Sequence, residues 1–117
     1  MKRFSLNFYS SEDGLKPIEI FLDNISDRKL LAKILRDFSL LEDFGNKLRS
    51  SHSKYLRGGI FELRSKQSTN IVRCFYFFQH DNQIILTHGI VKKQNAVPAE
   101  EIVKAMNYKT DWEKRNR

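Results

Sequence analysis

The sequence is poor in cysteine, proline and acidic residues, and each shortage excludes something. Cys74 is the only cysteine among 117 residues, so no internal disulfide can form and a reducing compartment is the natural setting. It lies in an apolar run, where an inert core thiol is expected, because a reactive one needs an electropositive and accessible place. No apolar run approaches a membrane span, and the basic start "MKRFSLNFYSSEDG" lacks the apolar stretch of a signal peptide, so a cytoplasmic protein with no membrane partner is expected. The three histidines and Cys74 show no metal-ligand spacing, and there is no glycine-rich phosphate loop or Ser/His/Asp pattern. Metal, nucleotide and serine-hydrolase sites are therefore disfavoured, and no cofactor is expected. Repeats, linkers and low-complexity tracts are also missing, which leaves a single domain over residues 1–117.

Acid is short relative to base: 14 Asp and Glu against 21 Lys and Arg, a net charge of +7. Such an excess repels itself unless a polyanion or an acidic partner uses it. Nucleic acid is the first candidate and an acidic protein surface the second, although many small soluble proteins are simply basic.

The residues present predict an α+β fold. "RFSLNFY" alternates Phe4, Leu6 and Phe8 with polar residues, as a half-buried strand does. Pro17 suits the first turn of a helix carrying Ile18, Phe21, Leu22 and Ile25. Ser26 or Asp27 can cap a second helix with the stripe Leu30, Leu31, Ile34, Leu35, Phe38 and Leu41, which Gly45 can end in a left-handed conformation. "NKLRSSHSKYLRGG" reads as a loop or irregular approach. Strands follow near Gly59 to Ser65, Asn70 to Gln79 and Gln83 to Val91, joined by turn-like segments too short for crossovers. Pro98, with Glu100 and Glu101 in a favourable first turn, opens a C-terminal helix, and the "EKRNR" tail is expected to be frayed. The expected architecture is a small antiparallel sheet of about four strands with a mixed edge, packed on one face by two N-terminal helices and a C-terminal helix.

The strands carry cations where a core would be expected. A first turn centred between Gln67 and Ser68 sets Glu62 opposite Arg73 and Arg64 opposite Ile71. A second turn centred on Asp81 sets Arg73 near Gly89 and Cys74 near His88. Parity then places Arg64, Arg73, Thr87 and Lys93 on one face, with Lys92 and His88 on the other or at its edge; a slip of one residue would exchange the faces. Phe77, Phe78, Ile84 and Ile85 occupy the opposite end of the strands, so the sheet is expected to be core at one end and a basic concavity at the other. Cations gathered in a hollow favour an anion, and phosphate fits. The plainer alternative pairs Arg64 with Glu62 or Glu42 and leaves Lys92 and Lys93 as a solvated edge.

The run "LRGGIFELR", then "VRCFYFF", then "IILTHGIVKKQNAVPAEEIVKA" resembles the phage-associated HigB-like branch of the RelE/ParE superfamily of toxin-antitoxin systems. The likeness covers residues 55 to 106, with the glycine-led "ELR" strand, the arginine strand, the "HG" and "KK" segment and the proline-led helix in order. It departs at Ile90, where the family is usually aromatic, and at Asn107 and Tyr108, where a basic residue is often found. The resemblance implies a compact toxin that cleaves messenger RNA on the translating ribosome, held in a heteromeric complex by a cognate helix-turn-helix antitoxin. The same superfamily includes toxins that block DNA gyrase without cutting RNA, and a basic ribosome- or RNA-binding module without catalysis is a further alternative.

RNA can cleave itself without metal when its 2′-hydroxyl is aligned with the adjacent phosphate and deprotonated. Arg64 and Arg73 suit the transition-state charge, since a rigid guanidinium fork can hold phosphate oxygens bidentately. Lys92 or Lys93, crowded by other cations, suits binding or proton transfer, and Glu62 and His88 are further proton-transfer candidates. Arg57, Tyr76 and Tyr108 are candidates for RNA contact, Tyr76 and Tyr108 by stacking on bases, with core packing the plainer role for both tyrosines. On this reading Arg73→Ala abolishes growth inhibition while leaving the fold and antitoxin binding largely intact.

Overall fold

The computed structural model describes residues 2–49, 51–92 and 96–116. Lys93 lies outside the described residues, and of Lys92 only the backbone position is described. The chain runs β1 (Ser5–Phe8), α1 (Pro17–Asp23), α2 (Arg28–Phe44), β2 (Ser53–Arg57), β3 (Ile60–Gln67), β4 (Asn70–Gln79), β5 (Gln83–Lys92) and α3 (Ala99–Arg115). The strands form one sheet in the order β1-β5-β4-β3-β2, antiparallel except for the edge strand β1, which runs parallel to β5. The α+β class and the mixed edge agree with the sequence reading. The strand count is five rather than about four.

The extra strand is β2, which the sequence reading assigned to a loop. Its polar, basic character reflects its place at the sheet edge, where Lys54, Tyr55 and Arg57 are exposed. Gly58 and Gly59, both at positive φ (62° and 83°), make the two-residue turn into β3. That geometry favours glycine at both central positions and matches the twist of the flanking strands.

Local chemistry explains the helices. Pro17 stands at the first position of α1. Asp27 caps α2, its carboxylate accepting from the backbone N–H of Lys29 (3.0 Å) and Leu30 (3.2 Å). Gly45, at φ 51°, ends α2 so close to the Phe4 ring that a Cβ would overlap it.

Helices cover both faces of the sheet, not one. On the first face, Leu30, Ile34, Phe38 and Leu41 of α2 and Ile18 of α1 pack with Leu63, Val72, Cys74, Tyr76, Ile84 and Leu86. On the second, Ala105, Met106, Tyr108 and Trp112 of α3 pack with Ile60, Phe75, Phe77 and Ile85. Strands buried on both sides lose strict alternation, which is why 74–78 and 84–86 read as continuous apolar runs. Each fully buried large apolar side chain here contributes about 1.5–3 kcal/mol.

The C-terminal helix also reaches further than expected, into the segment read as a frayed tail. Helix α3 continues through Arg115, whose guanidinium bonds the Asp111 carboxylate and the Ser10 carbonyl. Tyr9 donates to the same carboxylate at 2.6 Å, and burial together with Asp111 pushes its phenol up to about 12. The far end of β1 and the last turns of α3 are thus tied together.

Candidate functional site

The β3–β4 turn centres between Ser68 and Thr69, one position later than expected, with Ser68 at φ 58°. The pairing therefore moves by two residues and keeps its faces: Arg64 lies directly opposite Arg73, and Glu62 opposite Phe75. Two guanidiniums facing each other across a ladder repel. Glu62, on the same face, resolves the conflict. Arg73 donates from Nη1 to both its carboxylate oxygens, at 3.1 and 2.9 Å, and Arg64 Nε approaches Oε1 at 3.8 Å. The side chains of Arg73 and Glu62 are only 3% and 2% exposed, whereas that of Arg64 is 36% exposed.

This corrects one expectation. Arg64 and Arg73 do come together, but part of the anion their charge demands is supplied by Glu62, and Arg73 is an interior residue rather than an open phosphate clamp. A buried carboxylate deprived of its guanidinium partner is strongly destabilising. Arg73→Ala therefore tests the fold at least as much as the chemistry. Arg64 is the arginine that reaches solvent.

The β4–β5 pairing holds the expected register from Gln79↔Gln83 to Tyr76↔Leu86 and then shifts. A bulge sets Thr87 and His88 together against Phe75, so Cys74 pairs with Gly89 and Arg73 with Ile90, each one residue beyond the expected partner. The bulge also carries His88 onto the face of Arg73 and α3 instead of the opposite one. There its ring lies 4.8 Å from that of Phe75 and 5.7 Å from that of Tyr108. Nδ1 is 3.1 Å from the Thr87 hydroxyl and Nε2 3.0 Å from Glu101 Oε1. Burial lowers its pKa below the ordinary value, against the opposing pull of the Glu101 carboxylate. With both nitrogens engaged and 4% exposure, His88 is built as a core residue.

The remaining candidates divide. Lys92 has its backbone opposite Ile71, two residue pairs along the ladder from Arg73. Tyr76 is 1% exposed and stacked on Phe61 beneath α2, so the expectation that it meets a base is corrected: no ring face is open. Tyr108 stacks on Tyr9 at 4.6 Å and lies over His88. Arg57 is exposed opposite Ile60, four residues along β3 from Arg64, with Nη1 3.9 Å from Met106 Sδ. Burial raises the pKa of Cys74 far above its ordinary value, which leaves an inert core thiol as expected.

Two residues of the neighbourhood were missed. Lys54 of β2 pairs with Glu62, and Glu101 of α3 holds His88. The Gly58–Gly59 pair between two hydrophobic stretches was the available signal for β2, and hence for Lys54. Glu101 had none, because only the tertiary fold brings α3 to β5.

A family model described as Phage derived protein Gp49-like (DUF891) matches residues 21–110. The chain belongs to this family. Gp49-like proteins lie within the RelE/ParE-like toxin superfamily, so the resemblance seen in the sequence holds at superfamily level. No curated protein matches the chain. The Gp49-like match spans α2, all of β2 to β5 and most of α3, and so contains Glu62, Arg64, Arg73 and His88. Among the described residues no helix is long and apolar enough to cross a membrane.

Proposed function

We propose that this Gp49-like chain is the toxin of a type II toxin-antitoxin pair, of the HigB-like kind, and that it cuts translated messenger RNA on the ribosome without a metal. The observation that carries the reading is the cross-strand group Arg64, Glu62 and Arg73, in which one guanidinium is held inside and the other reaches out. Superfamily membership and the net charge of +7 support it.

In this mechanism Arg64 binds the scissile phosphate. The 2′-hydroxyl attacks the adjacent phosphorus, the P–O5′ bond breaks, and the products are a 2′,3′-cyclic phosphate and a 5′-hydroxyl. Charge accumulates on the non-bridging oxygens, where a charge-assisted guanidinium fork acts best. Arg73 is a positioning residue: it fixes Glu62, and Glu62 in turn draws Arg64 toward one orientation. Lys92, the last residue of β5, and Lys93, next to it in the sequence, are the candidates for moving the proton from O2′ and delivering one to O5′. His88 is set aside, since Thr87 and Glu101 occupy its nitrogens. A cognate antitoxin with a helix-turn-helix domain is the expected partner.

Arg64→Gln is the cleanest test, because its side chain is partly exposed. In a translation reaction with mapped RNA ends, the wild type should give cuts that depend on translation. The variant should cut about 10²–10³-fold more slowly, as when one preorganised donor is lost, with its melting temperature little changed. Intact messages with trapped gyrase complexes would reject the nuclease in favour of the gyrase-blocking alternative.

A further inference from the structure

The proposed nuclease site leaves a second group of cations unexplained. Arg28, Lys29, Lys33 and Arg36 all lie in the first half of α2, with Lys29 and Lys33 at i,i+4 and Lys33 and Arg36 at i,i+3. Like charges at these spacings destabilise a helix. Beyond the Asp27 cap the first turn has no acidic residue, so only that one carboxylate offsets Arg28 and Lys29 at the positive end of the helix dipole. Lys33 is answered by Asp37, 2.7 Å away and fully buried. Among the described residues, no carboxylate lies within salt-bridge range of Lys29, Arg36 or Lys66.

These cations share a hollow. Lys29, Ala32, Lys33 and Arg36 of α2 and Gln67 of β3 line a cavity of about 300 Å³. Its largest apolar lining residue is Ala32, whereas a protein interface needs an apolar centre. Gln67 is also three residues from Arg64 on β3, about 10 Å at the rise of an extended strand. Lys66, exposed, stands between them and alternates onto the face of Arg64. The positive end of the sheet therefore continues around the end of β3 onto α2.

We infer that this hollow is a second phosphate-binding site, which takes the backbone of an RNA strand outside the reaction centre. The inference rests on the nuclease reading for the identity of its ligand, and the hollow supplies an anion to the cations that lack one. Bound there, a strand passes around the end of β3 from the α2 face to the opposite face, with its scissile phosphate at Arg64.

The test uses the full chain and a fluorescent single-stranded 2′-O-methyl RNA, which binds but cannot undergo 2′-hydroxyl attack. Affinity is measured by anisotropy across a series of salt concentrations. In the double variant Lys29→Gln, Arg36→Gln, with Lys33 kept for Asp37, the slope of log K against log salt should fall by about 1.4, the value for two single-strand phosphate contacts. That corresponds to a loss of roughly 25-fold at 0.1 M salt. The charge-conserving Lys29→Arg, Arg36→Lys variant should retain wild-type affinity, and the melting temperature of the Gln variant should be unchanged or raised. An unchanged slope and affinity overturn the inference, as does a loss of binding confined to a polyglutamate peptide, which would give the hollow to an acidic protein.

The outcomes separate from those of the nuclease reading. A wild type that cuts no translated message, yet loses RNA affinity in the Gln variant, rejects the nuclease and keeps the hollow. A wild type that cuts, with the Gln variant binding RNA as before, does the reverse.

Discussion

Replacing Arg73 by alanine should cost the protein a large part of its stability, because the change strands a carboxylate. Glu62 is 2% exposed and receives two hydrogen bonds from Arg73. Breaking a buried pair by removing one partner costs about 3–5 kcal/mol. Arg64 Nε, 3.8 Å from the same carboxylate, offsets part of this, so the lower end of about 3 kcal/mol applies. A chain of 117 residues has an unfolding entropy of about 0.25 kcal/mol/K, and the melting temperature should fall by about 12 °C. The double variant Glu62→Leu, Arg73→Met removes both charges and fills similar volume, and it should recover most of that loss. Thermal unfolding followed by circular dichroism on Glu62→Leu, Arg73→Met, their double variant and the wild type completes a double-mutant cycle, with an expected coupling of at least about 2 kcal/mol. If Arg73→Ala melts within about 3 °C of the wild type, or the double variant is no better than the single, then Glu62 does not depend on Arg73 and the positioning role assigned to the pair is wrong.

Further outcomes follow from other parts of the fold. His88 has a lowered pKa, so the folded state binds fewer protons than the unfolded state just below pH 6.5; stability from this group is present above that pH and is lost as the pH falls toward the folded value. Urea midpoints between pH 7 and 5.5 should decline in the wild type and decline less in His88→Phe, and equal slopes would show that His88 is not held neutral by burial. At Gly89 a Cβ would come within 2.6 Å of the Phe21 ring, so Gly89→Ala should cost about 1–3 kcal/mol in denaturant unfolding. Adding Phe21→Leu should return part of it, and an alanine variant as stable as the wild type would mean that α1 is free to move off β5.

How much of this was legible in the sequence depends on how local the cause is. Asp27 capping α2, Gly45 ending it and Pro17 opening α1 were readable because each acts on its own neighbours in the chain. The three central strands were readable from their apolar runs, and Cys74 as a core residue from the run around it. β2 was lost because an edge strand exposes polar side chains and so resembles a loop. The second buried face was lost because alternation disappears when both sides of a sheet are covered, so position along the strand was taken to separate core from charge.

In the site, the grouping of Arg64, Arg73 and Glu62 on one face survived a two-residue error in the pairing, since an even shift preserves parity. The bulge at Thr87 and His88 is an odd shift, and it moved His88 to the other side of the sheet. The distinction between an arginine that is buried and one that reaches solvent has no signature in sequence at all.

The parallel seating of Ser5 on Gln83 means that the earliest strand has no sheet partner until the latest one exists. Closing so long a loop carries an entropic penalty that local hairpins avoid. Short turns join β2 to β5, whereas β1 has α2 for its side chains, with Phe8 against Phe38 and Phe4 against Gly45, but no strand to pair with until β5 is made. A chain interrupted before residue 83 therefore keeps the backbone groups of β1 without a ladder to join, the kind of open edge that invites pairing with another chain.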